Sequence, residues 1–111
     1  MATKLSADEV SRYQKDGVVA PVSVMSPAVA NELRFRLESA EKLFPHQIGP
    51  EKRNNAHYVL RCLDEIVHHD EILDAVECLI GPDIILTNTV LFIKEPNSLH
   101  HVTYHQDATY M

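Results

Sequence analysis

The sequence is poorest in the residues that staple or punctuate a chain. Its 111 positions hold two cysteines, three glycines and no tryptophan. Two cysteines make no disulfide framework, and Cys62 and Cys78 do not form the C-x-x-C pair expected of a zinc site. They read as reduced, partly buried thiols of a cytoplasmic protein. No run approaches the roughly 20 apolar residues needed to cross a bilayer. The most apolar stretch, Ile84 to Ile93, is interrupted by Thr87, Asn88 and Thr89. The opening, MATKLSADEV, lacks the apolar core of a signal peptide and carries charge at once. A basic run is missing too: ten Lys and Arg face 16 Asp and Glu, for a formal charge of −6. That balance argues against nucleic acid or an anionic membrane surface as partner. What is present, 45% hydrophobic and 23% charged residues, is globular composition of one-domain length.

The first half reads as helices. Ser6 with Glu9 three residues on is a capping box, Leu5 and Val10 stand at the staple positions, and Gly17 is placed to end the helix. GVVAPVSV follows as a short strand that Pro21 pushes to an edge. A second helix starts at Ser26 and Pro27, with Val29, Leu33, Leu37, Ala40 and Phe44 on one stripe, and stops at Pro45. Pro45 to Ala56, with Gly49, Pro50 and Asn54-Asn55, is a loop. HYVLRC is a short strand or an extended lead-in. A third helix follows Asp70 as N-cap, buries Ile72, Leu73, Val76, Leu79 and Ile80, and ends at Gly81-Pro82. The character then changes. Ile84 to Lys94 is rich in β-branched residues and has no helical period, so it is expected as a strand. Pro96-Asn97-Ser98 is a turn, and HVTYHQD is a second strand expected to pair back as a hairpin.

The chemistry-bearing residues are His105 and Asp107. On a strand, His-x-Asp puts both side chains on one face with Cα atoms roughly 6.5 Å apart, near enough to share one ion. An imidazole and a carboxylate are two of the three ligands of the facial triad that holds non-haem Fe(II). The bare triplet is not specific. Seven histidines and seven aspartates give a chance expectation of roughly 0.4 such triplets. A second copy, His68-His69-Asp70, stands at a helix start, where Asp70 serves as a cap.

Order along the chain supplies the context. LSADEVSRYQKDGVV, then LDAVECLIGPDIIL, then LFIKEPNS and YHQD occur in succession. Together these resemble the N-terminal half of the phytanoyl-CoA dioxygenase family of Fe(II)/2-oxoglutarate oxygenases, over about 105 of the 111 residues. The resemblance implies an α+β chain: N-terminal helices over about 5–82, then over 83–111 the first strands of a double-stranded β-helix, or jelly roll, left incomplete. It implies that residues 1–111 are the N-terminal portion of one such domain. It places His105 and Asp107 on the metal ligands and Lys94 on a 2-oxoglutarate contact. Because position 107 is Asp, the pattern resembles a hydroxylating rather than a halogenating member.

The family's second ligand histidine and its 2-oxoglutarate-binding arginine have no match. Arg12, Arg34, Arg36, Arg53 and Arg61 all precede the His-x-Asp motif, and His100 and His101 read as turn residues. The expectation is therefore a partial Fe(II)/2-oxoglutarate dioxygenase, inactive alone, whose parent enzyme hydroxylates a small organic substrate. The alternatives are a non-catalytic helical interaction module of oxygenase ancestry, and an unrelated small metal-binding protein using His and Cys.

Overall fold

The computed structural model describes residues 4–48, 54–99 and 101–109. Gly49, Pro50 and Arg53 of the expected loop, and His100, lie outside the described residues. Four α-helices carry the described fold: α1 (Ala7–Asp16), α2 (Pro27–Leu43), α3 (Arg61–Val67) and α4 (Asp70–Ile80). Short 3₁₀ turns occupy Ala56–Tyr58 and Asp107–Thr109.

The helix ends follow from their capping residues. The Ser6 hydroxyl accepts from the Glu9 N–H, and the Glu9 carboxylate accepts from the Ser6 N–H at 2.8 Å, closing the box around α1. Gly17 ends α1 at φ 74°, the left-handed conformation that costs a glycine least. Ser26 caps α2 through the Val29 N–H, and Pro27 fills a position whose N–H has no helical partner. Helix α4 starts one residue earlier than its expected cap. His69 is the N-cap, and Asp70 and Glu71 lie inside the first turn, where the helix dipole favours them.

Helix α1 packs against α4, α2 against α3, and α3 against both α4 and the turn at 56–58. The α2–α3 contact carries a forked ion pair, Arg36 to Glu65 at 2.6 and 3.1 Å. Burial is thin. Leu5, Ile48, Ala56, Cys62 and Ala75 are the buried apolar residues, with His57 beside them. The expected stripe of α2 stays half-open, with Val29 and Phe44 exposed, and on α4 Ile80 faces outward.

Two sequence expectations fail here. HYVLRC is neither a strand nor an extended lead-in over its length: a 3₁₀ turn leads into α3, whose N-cap Leu60 is extended but gives no side-chain hydrogen bond and so leaves no starting signal. More importantly, the jelly-roll strands are not formed, and the α+β expectation gives way to a helical chain. Of the described residues, 51% are helical and 2% lie in a β-bridge, with no sheet. GVVAPVSV, Ile84 to Lys94 and HVTYHQD all run without a ladder. The turn between the last two does form: Asn97 sits at φ 60° and the Ser98 N–H bonds the Glu95 carbonyl. A single turn does not hold a hairpin, because two strands without a third or a covering helix are marginal in water.

One antiparallel bridge, Asn54 to Val90, ties the apolar segment to the helices. Beside it the Asn55 N–H donates to the Thr89 carbonyl at 2.8 Å. The Thr89 N–H donates to Asn55 Oδ1 at 3.1 Å. Buried His57 completes the clip, with Nδ1 2.6 Å from the Thr89 hydroxyl. Asn55 takes a left-handed φ of 55°, which Asn tolerates better than most residues.

Candidate functional site

His105 and Asp107 lie together although the strand expected to align them is absent. Asp107 opens the 3₁₀ turn Asp107–Thr109, and this curl brings its carboxylate Oδ1 to 3.0 Å from His105 Nε2. The other ring nitrogen, Nδ1, lies 2.8 Å from the Thr103 carbonyl. The His105 side chain is 39% and the Asp107 side chain 77% exposed, so the pair faces solvent.

The chemistry of this trio is restrictive. A carbonyl and an ionised carboxylate are both acceptors only. A neutral imidazole has one N–H and can satisfy one of them. With the proton on Nδ1, donating to the Thr103 carbonyl, the Nε2 lone pair meets the Asp107 lone pairs; with the proton on Nε2, donating to Asp107, the Nδ1 lone pair meets the Thr103 carbonyl. Two species relieve that opposition. One is the imidazolium, with both nitrogens donating. Its formation is favoured, since the Thr103 carbonyl foremost, and the Asp107 carboxylate after it, raise the His105 pKa. The other is a cation held by both lone pairs.

The donor set fits a divalent ion. Two neighbouring ligands of an octahedral ion, each about 2.1 Å from it, stand roughly 3 Å apart. That is the separation of Nε2 and Oδ1. A backbone carbonyl on the second ring nitrogen is the usual support of a metal-binding histidine. Among the described residues no group of three His, Cys, Asp or Glu could hold a metal, so the pair stands without a third ligand there.

Lys94 is exposed and makes no ion pair among the described residues. His101 is exposed, with Nδ1 3.5 Å from the Leu99 carbonyl, a local turn contact. His68 Nδ1 lies against the Asp64 carbonyl at 3.0 Å and its carboxylate at 3.2 Å, on the end of α3. That places the second His-x-Asp copy at a helix junction, as its position in sequence suggested. Among the described residues, buried His69 Nδ1 has no hydrogen-bond partner. Cys62 and Cys78 are free thiols, the first buried. The clip of Asn55, His57 and Thr89 was not foreseen. Its one sequence signal is the Asn54-Asn55 pair, which marks a left-handed turn but not its distant partner.

Comparison with known proteins gives no relative: no family model, curated protein or solved structure matches the chain. No helix of the described residues is long and apolar enough to cross a membrane.

Proposed function

We propose that this chain contributes two protein ligands, His105 and Asp107, to a non-haem Fe(II) centre of the 2-oxoglutarate-dependent oxygenase kind, in a protein that resembles the phytanoyl-CoA dioxygenase family. The observation that carries this reading is the pairing of Nε2 and Oδ1 at 3.0 Å with Nδ1 tied to the Thr103 carbonyl. The order of sequence motifs supports it. The jelly-roll fold is not part of the proposal.

In such a centre Fe(II) couples oxidative decarboxylation of 2-oxoglutarate to hydroxylation of a C–H bond in a small organic substrate. The chain's own residues do simpler work. When Nε2 takes the ion, the Thr103 carbonyl accepts from Nδ1–H and orients the imidazole. Asp107 supplies negative charge beside that nitrogen. Lys94 offers an ammonium group to a keto-acid carboxylate. Two ligands hold an ion weakly, and the chain by itself gives no turnover.

The test is an anaerobic titration with Fe(II) and 2-oxoglutarate, followed through the visible charge-transfer absorption and by calorimetry. Weak binding is expected, falling about tenfold or more in His105→Ala and in Asp107→Asn but not in His68→Ala. Equal losses at His105 and His68 overturn the choice of site. A strong charge-transfer band in the isolated chain overturns its incompleteness. A second reading, a non-catalytic helical interaction module, is favoured by the helical content and the large exposed apolar surface. It predicts no Fe(II) response in any of the three variants or in the parent protein.

A further inference from the structure

The segment from Ile84 to Phe92 is built to meet itself. Written about Asn88, it reads as a near palindrome. Thr87 mirrors Thr89, Leu86 mirrors Val90, Ile85 mirrors Leu91 and Ile84 mirrors Phe92. Antiparallel pairing with a second copy, centred on Asn88, therefore sets threonine opposite threonine and apolar opposite apolar throughout. Such cross-strand pairs are the units that stabilise a sheet.

The backbone is prepared for the same register. In an extended chain, alternate residues turn their N–H and C=O to opposite edges. Thr89 turns both toward Asn55. Leu86, Asn88 and Val90 consequently present theirs to the other edge. Among the described residues their backbones make no hydrogen bond. Asn88 at the centre requires these three to be the hydrogen-bonded positions, Leu86 with Val90 and Asn88 with its own mate.

Charge and area agree. Residues 84–93 carry no charged side chain, so self-pairing opposes no like charges along its length. At each end Asp83 of one copy comes within one position of Lys94 of the other. The chain exposes 9343 Å², whereas a compact monomer of this mass exposes about 6,200 Å². The surplus is several times the roughly 800 Å² per partner of a specific interface. Ile85 is 86% and Phe92 70% exposed on this segment. A radius of gyration of 16.2 Å, against about 13 Å for a compact chain of this length, says the same.

The geometry points to a second copy of this chain as the occupant of the free edge of residues 84–92, giving a closed two-fold dimer through antiparallel pairing about Asn88. Closure at two follows from the clip. Asn55 and His57 hold the opposite edge at Thr89, which blocks addition of a third chain. The inference does not rest on the oxygenase reading, since the pairing of residues 84–92 involves neither His105 nor Asp107 and needs no contribution from Lys94.

The mass of the full chain in solution, measured by light scattering and sedimentation over a wide concentration range, tests this first. A monomer–dimer equilibrium is expected. A monomer throughout overturns the proposal, as does open-ended growth beyond the dimer. The register is tested by oxidation of two single-cysteine additions, with the parent protein as background for Cys62 and Cys78. In Asn88→Cys the two Cα atoms would stand about 5.5 Å apart, within disulfide reach. In Leu86→Cys the same residues would be roughly 13 Å apart. Cross-linked dimer from the first and not the second is the expected result; equal yield from both, or none from the first, overturns the register. Asn88→Pro removes the central donor and should weaken the dimer about tenfold or more with unchanged helical circular dichroism. Unchanged affinity in that variant overturns the proposal.

Discussion

The four helices that lie between residues 7 and 80 and the apolar segment of residues 84–93 solve the backbone problem differently. A helix pairs each N–H with a carbonyl four residues back, so α1, α2 and α4 form from local signals: a capping serine or a first-turn carboxylate, a periodic stripe, a terminal glycine. An extended segment pairs with nothing of its own. Residues 84–93 have the composition of a buried strand, yet most of their side chains are exposed, and among the described residues their backbones are tied only through the clip at Thr89, the bridge at Val90 and a bond from the Ile84 N–H to the Pro82 carbonyl. The contrast teaches that a strand signal in sequence is a statement about a neighbour, and that the neighbour need not lie in the same stretch of chain.

Amide exchange gives the largest test of this contrast. At concentrations where the chain is monomeric, amides in the middle of α2 and α4 should exchange on the order of a hundredfold more slowly than those of Leu86 and Asn88. Raising the concentration should slow Leu86, Asn88 and Val90 while leaving Thr87 less changed. Uniform exchange across both regions would erase the distinction.

The seam between the regions is Gly81, at φ 86° and ψ 179°, a conformation that almost only glycine adopts. Nothing lies within 4 Å of the place a Cβ would take, so the strain is conformational and not steric crowding. Gly81→Ala should cost about 2 kcal/mol, measured by denaturant unfolding. Thr89→Val tests the clip across the seam. It keeps the shape but leaves buried His57 Nδ1 without its 2.6 Å partner, for a loss of about 1–2 kcal/mol. An unchanged unfolding midpoint in Thr89→Val would mean that the extended region is not held by this contact.

What was legible in the sequence follows the same division. The caps at Ser6, Gly17 and Ser26, the helix from Asp70 and the turn at Pro96-Asn97 were readable because each is a local device. Helix α3 was not, because Tyr58 and Val59 favour extended backbone before it and Leu60 supplies no cap. The jelly-roll strands were expected from β-branched composition, and composition cannot say whether a partner strand is present. The pairing of His105 with Asp107 was expected through strand geometry and is achieved by a 3₁₀ curl instead. The contact of His105 with the Thr103 carbonyl was not legible, since a backbone carbonyl leaves no trace in residue type.

A smaller effect sits at the start of the helical region. Ser6→Ala removes the oxygen that accepts from the Glu9 N–H and half of the capping box, and should cost about 1 kcal/mol in thermal unfolding. Because the box is local, the variant should leave exchange at Leu86 and Asn88 unaltered. A parallel change there would show that the two regions are coupled more tightly than the clip alone allows.

The smallest effect concerns the ion pair between α2 and α3. Arg36 foremost, and Arg61 after it, hold the Glu65 carboxyl below the ordinary glutamate range. A folded pKa below the unfolded one means that the carboxylate stabilises the fold fully above the unfolded value, near 4.3, and that this contribution fades as pH falls through the lowered folded value. Both partners are partly exposed, so solvent screening keeps the contribution modest. The melting temperature should therefore fall slightly more steeply with acid in the parent protein than in Glu65→Gln, the two curves converging at low pH. Curves that stay parallel from neutral pH downward would show that the fork of Arg36 and Glu65 does not join α2 to α3 in solution. The helical region would then rest on its thin apolar contacts alone and would resemble the extended region more than their backbones suggest.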